Sequence, residues 1–418
     1  MIQASIITIG DELLIGQVID TNSAWIAQQL NAAGIRVCRR VAVGDVWNEI
    51  WNALDEESKH AEIILITGGL GPTADDITKP LLCKYFDGEL VENAEALDNV
   101  KYLFEKVFKR ALKPDDRNFK QALVPSTCTV IQNKRGTAPG MWFEKAGKIF
   151  MSMPGVPHEM KGMMSNDVIP ELQKKFSFPH ITHRTLVTFG IGESMLADLI
   201  QDFEEALPPH IKLAYLPNYG MVRLRLSTTG SDKEAMDKEV DGLFTTLQRI
   251  TKEYIITNND EPMENVVANL LLQRKKTMST AESCTGGYIA SQITAKAGAS
   301  RYYDGSVISY SYQAKEDLLD VDKTTLETLG AVSEEVVIQM AKGALKNLKT
   351  DYTVAVSGIM GPGGGTDDKP VGTVWVAAGS NKKIVTQKFQ FRFDRERNIV
   401  LTTMNTLNVL RKLILEDE

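Results

Sequence analysis

The sequence is poor in cysteine, with only four in 418 residues. Cys38, Cys83, Cys128 and Cys284 stand singly, and no two of them have the CxxC spacing of a zinc or redox site. Isolated thiols are typical of proteins from a reducing compartment. We therefore expect neither a zinc site nor a disulfide framework, and we expect a cytoplasmic protein.

Long hydrophobic runs are missing too. Apolar stretches such as Val266 to Leu272 are far shorter than the roughly 20 residues that cross a bilayer. The first residues, MIQASIITIGDELL, lack the basic start of a secretion signal. We expect no membrane partner.

The chain has no excess of positive charge. Lys and Arg number 47 against 54 Asp and Glu, for a net charge of -7. Such a balance provides no global attraction for nucleic acid or anionic membrane.

The chain does have the size and the alternation of an α/β protein. Its 43% hydrophobic and 24% charged residues are ordinary for a globular protein. Short β-branched runs alternate with helical patterns up to about residue 170 and again from Met263, which is typical of sheets covered by helices. Four strands are predicted in the first region: Ser5 to Ile9, Val37 to Val43, Ile63 to Thr67 and Lys148 to Met151.

These patterns predict a fold of the α/β class, with two α/β sandwich domains of mainly parallel sheets joined by a small α+β domain. The predicted boundaries are 1–170, 171–256 and 263–418, with the polar stretch TNNDEP at 257–262 as a linker. Leu97, Val100, Phe104, Val107 and Phe108 recur at helical spacing and predict one buried stripe. The alternation of Val222, Leu224 and Leu226 predicts a strand with one buried face.

A first candidate site follows the predicted strand Ile63 to Thr67, where the chain continues as TGGLGPTADDIT. This loop lies at the carboxyl edge of the sheet, where α/β proteins bind ligands. Gly68, Gly69 and Gly71 let backbone N–H groups approach phosphate closely, and the next helix adds its positive end. The loop matches neither a Walker A motif nor GxGxxG.

Two adjacent acids complete this first loop. Asp75 and Asp76 would repel a phosphate unless a hard cation such as Mg²⁺ lay between them. A capped turn, in which the acids only satisfy helix N–H groups, is the alternative.

Four segments of this region together resemble the N-terminal domain of the competence/damage-inducible CinA family, which is similar to molybdopterin-binding domains. They are ITIGDELLIGQVIDTN, TGGLGPTADDIT, NKRGTAPG and MPGVPHEM. The resemblance implies hydrolysis of ADP-ribose with a divalent metal, Mg²⁺, Mn²⁺ or Co²⁺. It also implies that Gly68, Gly69, Gly71 and Thr73 hold phosphate, that Asp75 and Asp76 hold the metal, and that Asp11 and Glu12 line the pocket.

A second candidate site is the segment AESCTGG at residues 281–287, where a predicted strand passes into a helix. Ser283 would lie beside the N–H groups of Thr285, Gly286 and Gly287, which predict an oxyanion hole. A serine needs a base, most often histidine. All five histidines precede the linker, so a base within this domain must be lysine or a carboxylate.

Lys315, in the segment VISYSYQAK, is the candidate base. A desolvated lysine has a lowered pKa, and Tyr310 at the end of the strand can relay or orient the proton. Cys284 is the rival nucleophile, because a thiol at a helix N-terminus has a lowered pKa. The later segment SGIMGPGGGT offers Ser357, Gly361, Gly363 and Gly364 for a small ligand, or is only a mobile turn.

The segments AESCTGG, YSYQAK, GAVSEE and SGIMGPGGGTDDKPVGT closely resemble the C-terminal CinA domain. The resemblance implies deamidation of nicotinamide mononucleotide without a cofactor, with Ser283, Tyr310 and Lys315 as the catalytic residues. Arg395, in FDRER, is the candidate for the substrate phosphate, with a solvated helix start as the alternative. Tyr312 and Met360 depart from the family's YSN and GIAGP, which affects the expected substrate preference.

The middle region resembles a KH-like domain, which raises nucleic-acid binding as an alternative function. Its GxxG-like loop, Gly190-Ile-Gly192-Glu193, ends in an acid, and residues 171–260 contain 10 Lys and Arg against 13 Asp and Glu. We therefore expect a spacer or a homodimer contact and no nucleic-acid partner. The resemblance to the CinA family covers nearly the whole chain and implies a bifunctional enzyme of pyridine-nucleotide salvage, with a molybdopterin-handling protein as a further alternative.

Overall fold

The computed structural model describes residues 2–73, 76–110 and 117–417. Its contacts divide the chain into two compact units. One unit comprises Met1–Thr182 and Thr229–Met236, and the other comprises His183–Thr228 and Asp237–Glu418.

The first unit is built on a sheet of six strands. Six of the following strands form this sheet: β1 (Gln3–Ile9), β2 (Arg36–Val43), β3 (Ile63–Thr67), β4 (Leu90–Glu92), β5 (Leu123–Pro125), β6 (Thr129–Ile131), β7 (Gly140–Lys145) and β8 (Lys148–Met153). The sheet order is β2-β1-β3-β8-β7-β6, while β4 and β5 form a separate antiparallel ribbon. The pairs β2–β1, β1–β3 and β3–β8 are parallel, whereas the pairs β8–β7 and β7–β6 are antiparallel.

Helices cover both faces of this sheet because its central strands are apolar on both sides. Ile6, Leu65 and Met151 pack into one cluster, and the alternate residues Ile7 and Ile64 pack into another. The helices are α1 (Asp11–Leu14), α2 (Thr21–Ala32), α3 (Trp47–His60), α4 (Thr78–Tyr85), α5 (Ala94–Tyr102), α6 (Pro157–Met163) and α7 (Ile169–Lys175). Shorter turns are a 3₁₀ segment, Arg117–Ala122, and two π-helical segments, Leu103–Val107 and Met164–Val168.

The buried stripe predicted over Leu97 to Phe108 holds only in part. Val100 and Phe104 are buried, but Val107 and Phe108 are more than half exposed. The π-helical segment widens the turn, so its last residue, Val107, and the next residue, Phe108, rotate away from the buried face.

The middle of the chain forms a four-stranded sheet in the order β10-β11-β9-β12. Its elements are β9 (His180–Phe189), α8 (Glu193–Leu199), α9 (Gln201–Glu205), β10 (Lys212–Asn218), β11 (Met221–Gly230), α10 (Lys233–Ile250) and β12 (Ile255–Thr257). Val222, Leu224 and Leu226 are buried, so the predicted alternation is confirmed.

The rest of the chain forms a five-stranded sheet in the order β14-β13-β15-β16-β17. Its strands are β13 (Met278–Glu282), β14 (Tyr303–Ile308), β15 (Tyr352–Gly358), β16 (Thr373–Ser380) and β17 (Ile384–Gln390). Its helices are α11 (Met263–Arg274), α12 (Tyr288–Thr294), α13 (Tyr312–Leu319), α14 (Lys323–Leu329), α15 (Glu334–Leu348) and α16 (Arg395–Glu416), with a 3₁₀ turn at Ala299–Arg301. Strand β13 runs parallel to β14 and β15, whereas β16 and β17 join antiparallel.

The predicted α/β class is confirmed, with antiparallel strands added at one side of each large sheet. None of the described helices is both long and apolar enough to cross a membrane.

Candidate active sites

The carboxyl ends of three neighbouring strands bring the C-terminal candidate residues together. Ser283 follows β13, and its N–H donates to Val356 O of β15 over 3.1 Å. Ser309 follows β14, and its N–H donates to Glu282 O over 2.9 Å. Because parallel strands end at the same edge of a sheet, the segment after β14 lies next to Ser283.

Lys315 lies at hydrogen-bonding distance from the predicted nucleophile. Its Nζ is 2.9 Å from Ser283 Oγ, and it donates to the backbone oxygens of Ser309, at 2.7 Å, and Tyr310, at 3.3 Å. Carbonyl oxygens can only accept, so they take two N–H groups of the amine. The remaining position on the nitrogen faces the serine hydroxyl, and in the neutral amine that position is the lone pair.

Burial gives the lysine and the neighbouring thiol opposite tendencies to react. Lys315 is fully buried, and this desolvation lowers the pKa of its amine to about 8. Burial raises the pKa of the Cys284 thiol to about 12, against the weaker opposing charges of Lys315 and Arg395. Near neutral pH the lysine is thus close to its titration point while the thiol stays protonated, which favours Ser283 over Cys284 as the nucleophile.

The turn after Ser283 differs from the predicted oxyanion hole. The N–H of Gly286 donates to Ser283 O over 3.2 Å, and the N–H of Gly287 donates to Glu282 Oε2 over 3.0 Å. These two groups are therefore not free to meet a substrate oxygen. Among the described residues, the N–H groups of Cys284 and Thr285 donate to no other residue and remain the candidates for that role.

Glu282 is the functional residue that sequence reasoning missed. Its side chain is fully buried and accepts from Thr285 Oγ1 at 2.7 Å and from the N–H groups of Gly287, Ile289 and Ala290 at 3.0, 3.1 and 2.8 Å. The carboxylate therefore caps α12 from within and fixes the turn that carries Ser283. The signal available in the sequence was an acid at the end of a predicted strand, directly before a glycine-rich turn.

Tyr310 meets the lysine through its backbone and not through its ring. The hydroxyl lies 3.5 Å from Arg395 Nη2, the side chain is 65% exposed, and the described residues show no hydrogen bond from it to Ser283 or Lys315. The expected proton relay is therefore absent from this arrangement. Arg395 also donates to Gly361 O over 2.9 Å, so the guanidinium joins the tyrosine to the glycine-rich loop.

Ser357, at the end of β15, was expected to bind substrate but bonds instead to the segment around Ala331. Ser357 is buried and its hydroxyl donates to Ala331 O over 2.7 Å, while the N–H of Ala331 donates to Tyr312 Oη over 3.2 Å. The Ser357 hydroxyl is thus used to fix the segment around Ala331, and the Tyr312 oxygen accepts a bond from the same residue. Further along the loop, Gly363 and Gly364 are exposed.

A cleft of about 410 Å³ lies at the carboxyl edge of β1, β3 and β8, and its lining excludes two of the candidate residues, Asp11 and Thr73. Its lining includes the three predicted phosphate-binding glycines and two of the predicted acids, together with acids that were not predicted. These residues are Gly68, Gly69, Gly71, Glu12, Asp76, Asp45 and Glu159. Parallel strands bring these distant segments to one edge, as in the second unit.

The start of this loop leaves no room for a side chain at two positions. Gly68 has φ 116°, and a Cβ there would lie 2.1 Å from Ile9 O. Gly69 has φ 63°, and a Cβ there would lie 2.1 Å from Thr78 Oγ1. Among the described residues, the N–H groups of Gly69 and Leu70 donate to no acceptor, so they suit an anion.

The second half of the same loop departs from the prediction. Gly71 N–H donates to Asp76 Oδ1 over 2.7 Å, and Thr73 N–H donates to Asp76 Oδ2 over 2.9 Å. The Thr73 hydroxyl donates to the same carboxylate. A side-chain carboxylate therefore stands where Gly71 and Thr73 were expected to hold phosphate.

The acids at this cleft do not form a ready metal site among the described residues. Asp11 and Asp45 exchange backbone N–H bonds with each other's carboxylates at 3.1 and 3.2 Å, and burial raises the pKa of both Asp45 and Glu159. No group of three acidic, histidine or cysteine side chains close enough for a metal occurs in the described part of the chain. Asp75, the other predicted ligand, lies outside the described residues, so the divalent metal stays a prediction.

Three family models match successive parts of the chain. A probable molybdopterin binding domain matches residues 5–174, a damage-inducible protein CinA KH domain matches residues 183–257, and a CinA C-terminal domain matches residues 260–414. Their order agrees with the order of the three resemblances found in the sequence.

Individual relatives match along the whole chain. A CinA-like protein of Cytophaga hutchinsonii is 46% identical over 415 residues, and one of Flavobacterium psychrophilum is 43% identical over 416 residues; each alignment covers 99% of both chains. The crystal structure of a CinA superfamily protein from Klebsiella pneumoniae is 36% identical and covers 37% of this chain and 96% of that chain, with a TM-score of 0.36.

Proposed function

Since the chain belongs to the CinA family, we propose that its C-terminal domain hydrolyses the amide of nicotinamide mononucleotide to nicotinic acid mononucleotide and ammonia. The observation that carries this proposal is the position of Lys315 Nζ, which is buried, held by two carbonyl oxygens and 2.9 Å from Ser283 Oγ. A neutral amine in that position can accept the serine proton.

The reaction proceeds through an acyl-enzyme. Ser283 Oγ attacks the amide carbon as its proton passes to Lys315, and the oxygen that becomes negative is stabilised by the N–H groups of Cys284 and Thr285. The C–N bond then breaks, and the leaving ammonia takes the proton from Lys315. Water next attacks the ester, with Lys315 as base again, and releases the carboxylic acid and Ser283.

Arg395 is proposed to bind the phosphate of the substrate. Its guanidinium is held between Gly361 O and the Tyr310 hydroxyl at the rim of the site, which leaves further N–H donors of its fork for an anion. Tyr310 is then a positioning residue for Arg395, a role that differs from the proton relay first expected. Tyr310→Phe should therefore raise KM more than it lowers kcat.

Release of ammonia tests the deamidase proposal. The purified chain should release one ammonia for each nicotinamide mononucleotide that it converts. Nicotinamide riboside, which lacks the phosphate, should react with a much higher KM. No ammonia from the mononucleotide under conditions in which the chain is folded would reject the proposal.

We also propose a second activity, the hydrolysis of ADP-ribose to AMP and ribose 5-phosphate in the N-terminal domain with a divalent metal. The observation that favours it is the cleft in which the N–H groups of Gly69 and Leu70, unpaired among the described residues, lie beside several carboxylates. Release of AMP, measured beside binding of molybdopterin, separates this activity from the alternative of a molybdopterin-handling protein.

A further inference from the structure

A cavity of about 550 Å³ lies in the second unit, between helix α15 and the hairpin turn that joins β16 to β17; we call it the α15 cavity. The turn follows Ser380, which pairs with Tyr352 at the start of β15. The Ser283 N–H bonds to Val356 O, near the other end of that strand. At about 3.3 Å for each residue, the α15 cavity and the nucleophile lie roughly 13 Å apart along β15, towards opposite edges of the sheet.

The apolar part of this cavity is aliphatic. Its apolar side chains are those of Ile338, Leu345 and Ile384. Ile338, Lys342 and Leu345 are spaced by four and then three residues, so they lie on one side of α15. Among the described residues no aromatic side chain lines the cavity, so it offers no ring on which a nucleotide base would stack.

The charged part of the lining is basic. Among the described residues no acid lines the cavity, whereas four lysines do: Lys342, Lys346, Lys382 and Lys383. Lys346 donates to Asp320 over 2.7 Å and Lys383 donates to Glu416 over 2.8 Å. The ammonium groups of Lys342 and Lys382 have no partner in the described part of the chain. In a protein of net charge -7, these two lysines place uncompensated positive charge at one cavity.

The turn that carries Lys382 is held in place by Ser380. The Ser380 side chain is buried, and its Oγ accepts from the N–H groups of Lys382 and Lys383 at 3.3 and 3.4 Å. The Ser380 N–H in turn donates to Lys383 O over 2.8 Å. The backbone of the turn is therefore ordered before a ligand arrives, which lowers the entropic cost of binding.

These features favour a ligand that has both a negative charge and an aliphatic body. Exposed ammonium groups are screened by water and salt, so charge alone would bind an inorganic anion weakly. Burial of aliphatic surface adds affinity in proportion to the area that is covered. The volume lies within the range of about 300 to 1,000 Å³ that is usual for small-molecule sites.

We propose that the α15 cavity binds a small aliphatic carboxylate. Its tail covers Ile338, Leu345 and Ile384, and its carboxylate meets the unpaired ammonium groups of Lys342 and Lys382. The site is separate from both proposed active sites and does not depend on either activity.

Titration calorimetry of the full chain with straight-chain carboxylates tests this site. Octanoate should bind, and each CH₂ that is removed on going to hexanoate and butanoate should weaken binding by about threefold, the effect of burying one methylene less. Octanamide keeps the tail without the charge, and it should bind about tenfold more weakly than octanoate. Inorganic phosphate, which has no tail, should also bind more weakly than octanoate.

Two variants and one control locate the effect, each compared as folded protein by circular dichroism. The double variant Lys342→Gln, Lys382→Gln should weaken octanoate binding about tenfold and leave octanamide binding unchanged, because only the unpaired charges are lost. Ile338→Trp fills the cavity from a half-buried position of its lining and should remove octanoate binding. Lys412→Gln, at an exposed position of the same unit outside the lining, should bind octanoate as the wild type does.

An octanoate titration without binding would overturn the site. An affinity that does not change with chain length, or one that Ile338→Trp retains in the folded state, would do the same, because the tail would then lie outside the cavity. Equal weakening by Lys412→Gln and by the double variant would also contradict the site, since the effect would then reflect net charge alone.

Discussion

In both large domains a strand ends in a glycine-rich turn whose N–H groups bond to a carboxylate of the chain itself. Asp76 accepts from Gly71 and Thr73 in the first domain, and Glu282 accepts from Gly287, Ile289 and Ala290 in the second. Glu282 is fully buried, whereas Asp76 is only half-buried and its bonds lie at the surface.

This difference in burial separates two turns that look alike in sequence. An exposed carboxylate can exchange its bonds for water at little cost, so an incoming phosphate can displace Asp76 from these N–H groups, and its freed carboxylate can bind a metal. A buried one cannot leave without an unpaired charge, so Glu282 is a permanent part of the turn. The first turn is thus suited to binding an anion, and the second is suited to holding Ser283 rigidly.

The largest effect is expected when the rigid turn loses its nucleophile. Ser283→Ala should lower ammonia release from nicotinamide mononucleotide by roughly 10³-fold or more, because binding and the oxyanion donors alone remain. Cys284→Ala is the matched control and should keep most of the activity. Retention in Ser283→Ala with loss in Cys284→Ala would reverse the assignment.

The second largest effect on activity is expected from removal of divalent metal, which should distinguish the two sites. A chelator should stop cleavage of ADP-ribose and spare deamidation, because a diphosphate must have its charge neutralised before water attacks whereas the Ser283 route needs no cation. Asp76→Ala should reproduce the chelator. If chelation stopped both activities in a folded chain, the independence of the sites would be wrong.

Thermal unfolding of two isosteric variants tests the contrast in burial. Glu282→Gln should cost about 3 kcal/mol of unfolding free energy, since an amide NH₂ would face N–H donors in a dry site. Asp76→Asn should cost about 1 kcal/mol, the usual value for an exposed cap. Similar losses in the two variants would show that burial does not separate the turns.

The smallest expected effect is the dependence of the deamidation rate on pH. Because the pKa of Lys315 is lowered to about 8, its neutral form is present above that pH and is lost below it. The kcat/KM of deamidation should therefore fall about tenfold per pH unit below 8. Cys284→Ala should show the same limb, since burial raises the thiol pKa to about 12. A flat profile, or a limb that disappears in Cys284→Ala, would exclude Lys315 as its source.

Much of the fold was predictable because its signals are local. The strand Ile63–Thr67 has the predicted bounds, and the alternation at Val222 to Leu226 gave the correct buried face. The prediction of burial was wrong at Val107 and Phe108. A π-helical turn there changes the spacing of the buried face, and such a turn has no clear signature in residue spacing. The bifunctional assignment, the metal and the homodimer stay predictions.

By itself the sequence determined which chemical groups follow each strand, including a serine, a lysine and no histidine in the last domain. Only the tertiary structure decided which groups are free to act. Ser283 and Lys315 are 32 residues apart, and their contact depends on the pairing of β13 with β14. The N–H groups of Gly286 and Gly71 looked equally available in sequence, yet each bonds within the chain. Spacing along the chain reports local conformation, whereas hydrogen-bond partners and burial depend on residues that only folding brings together.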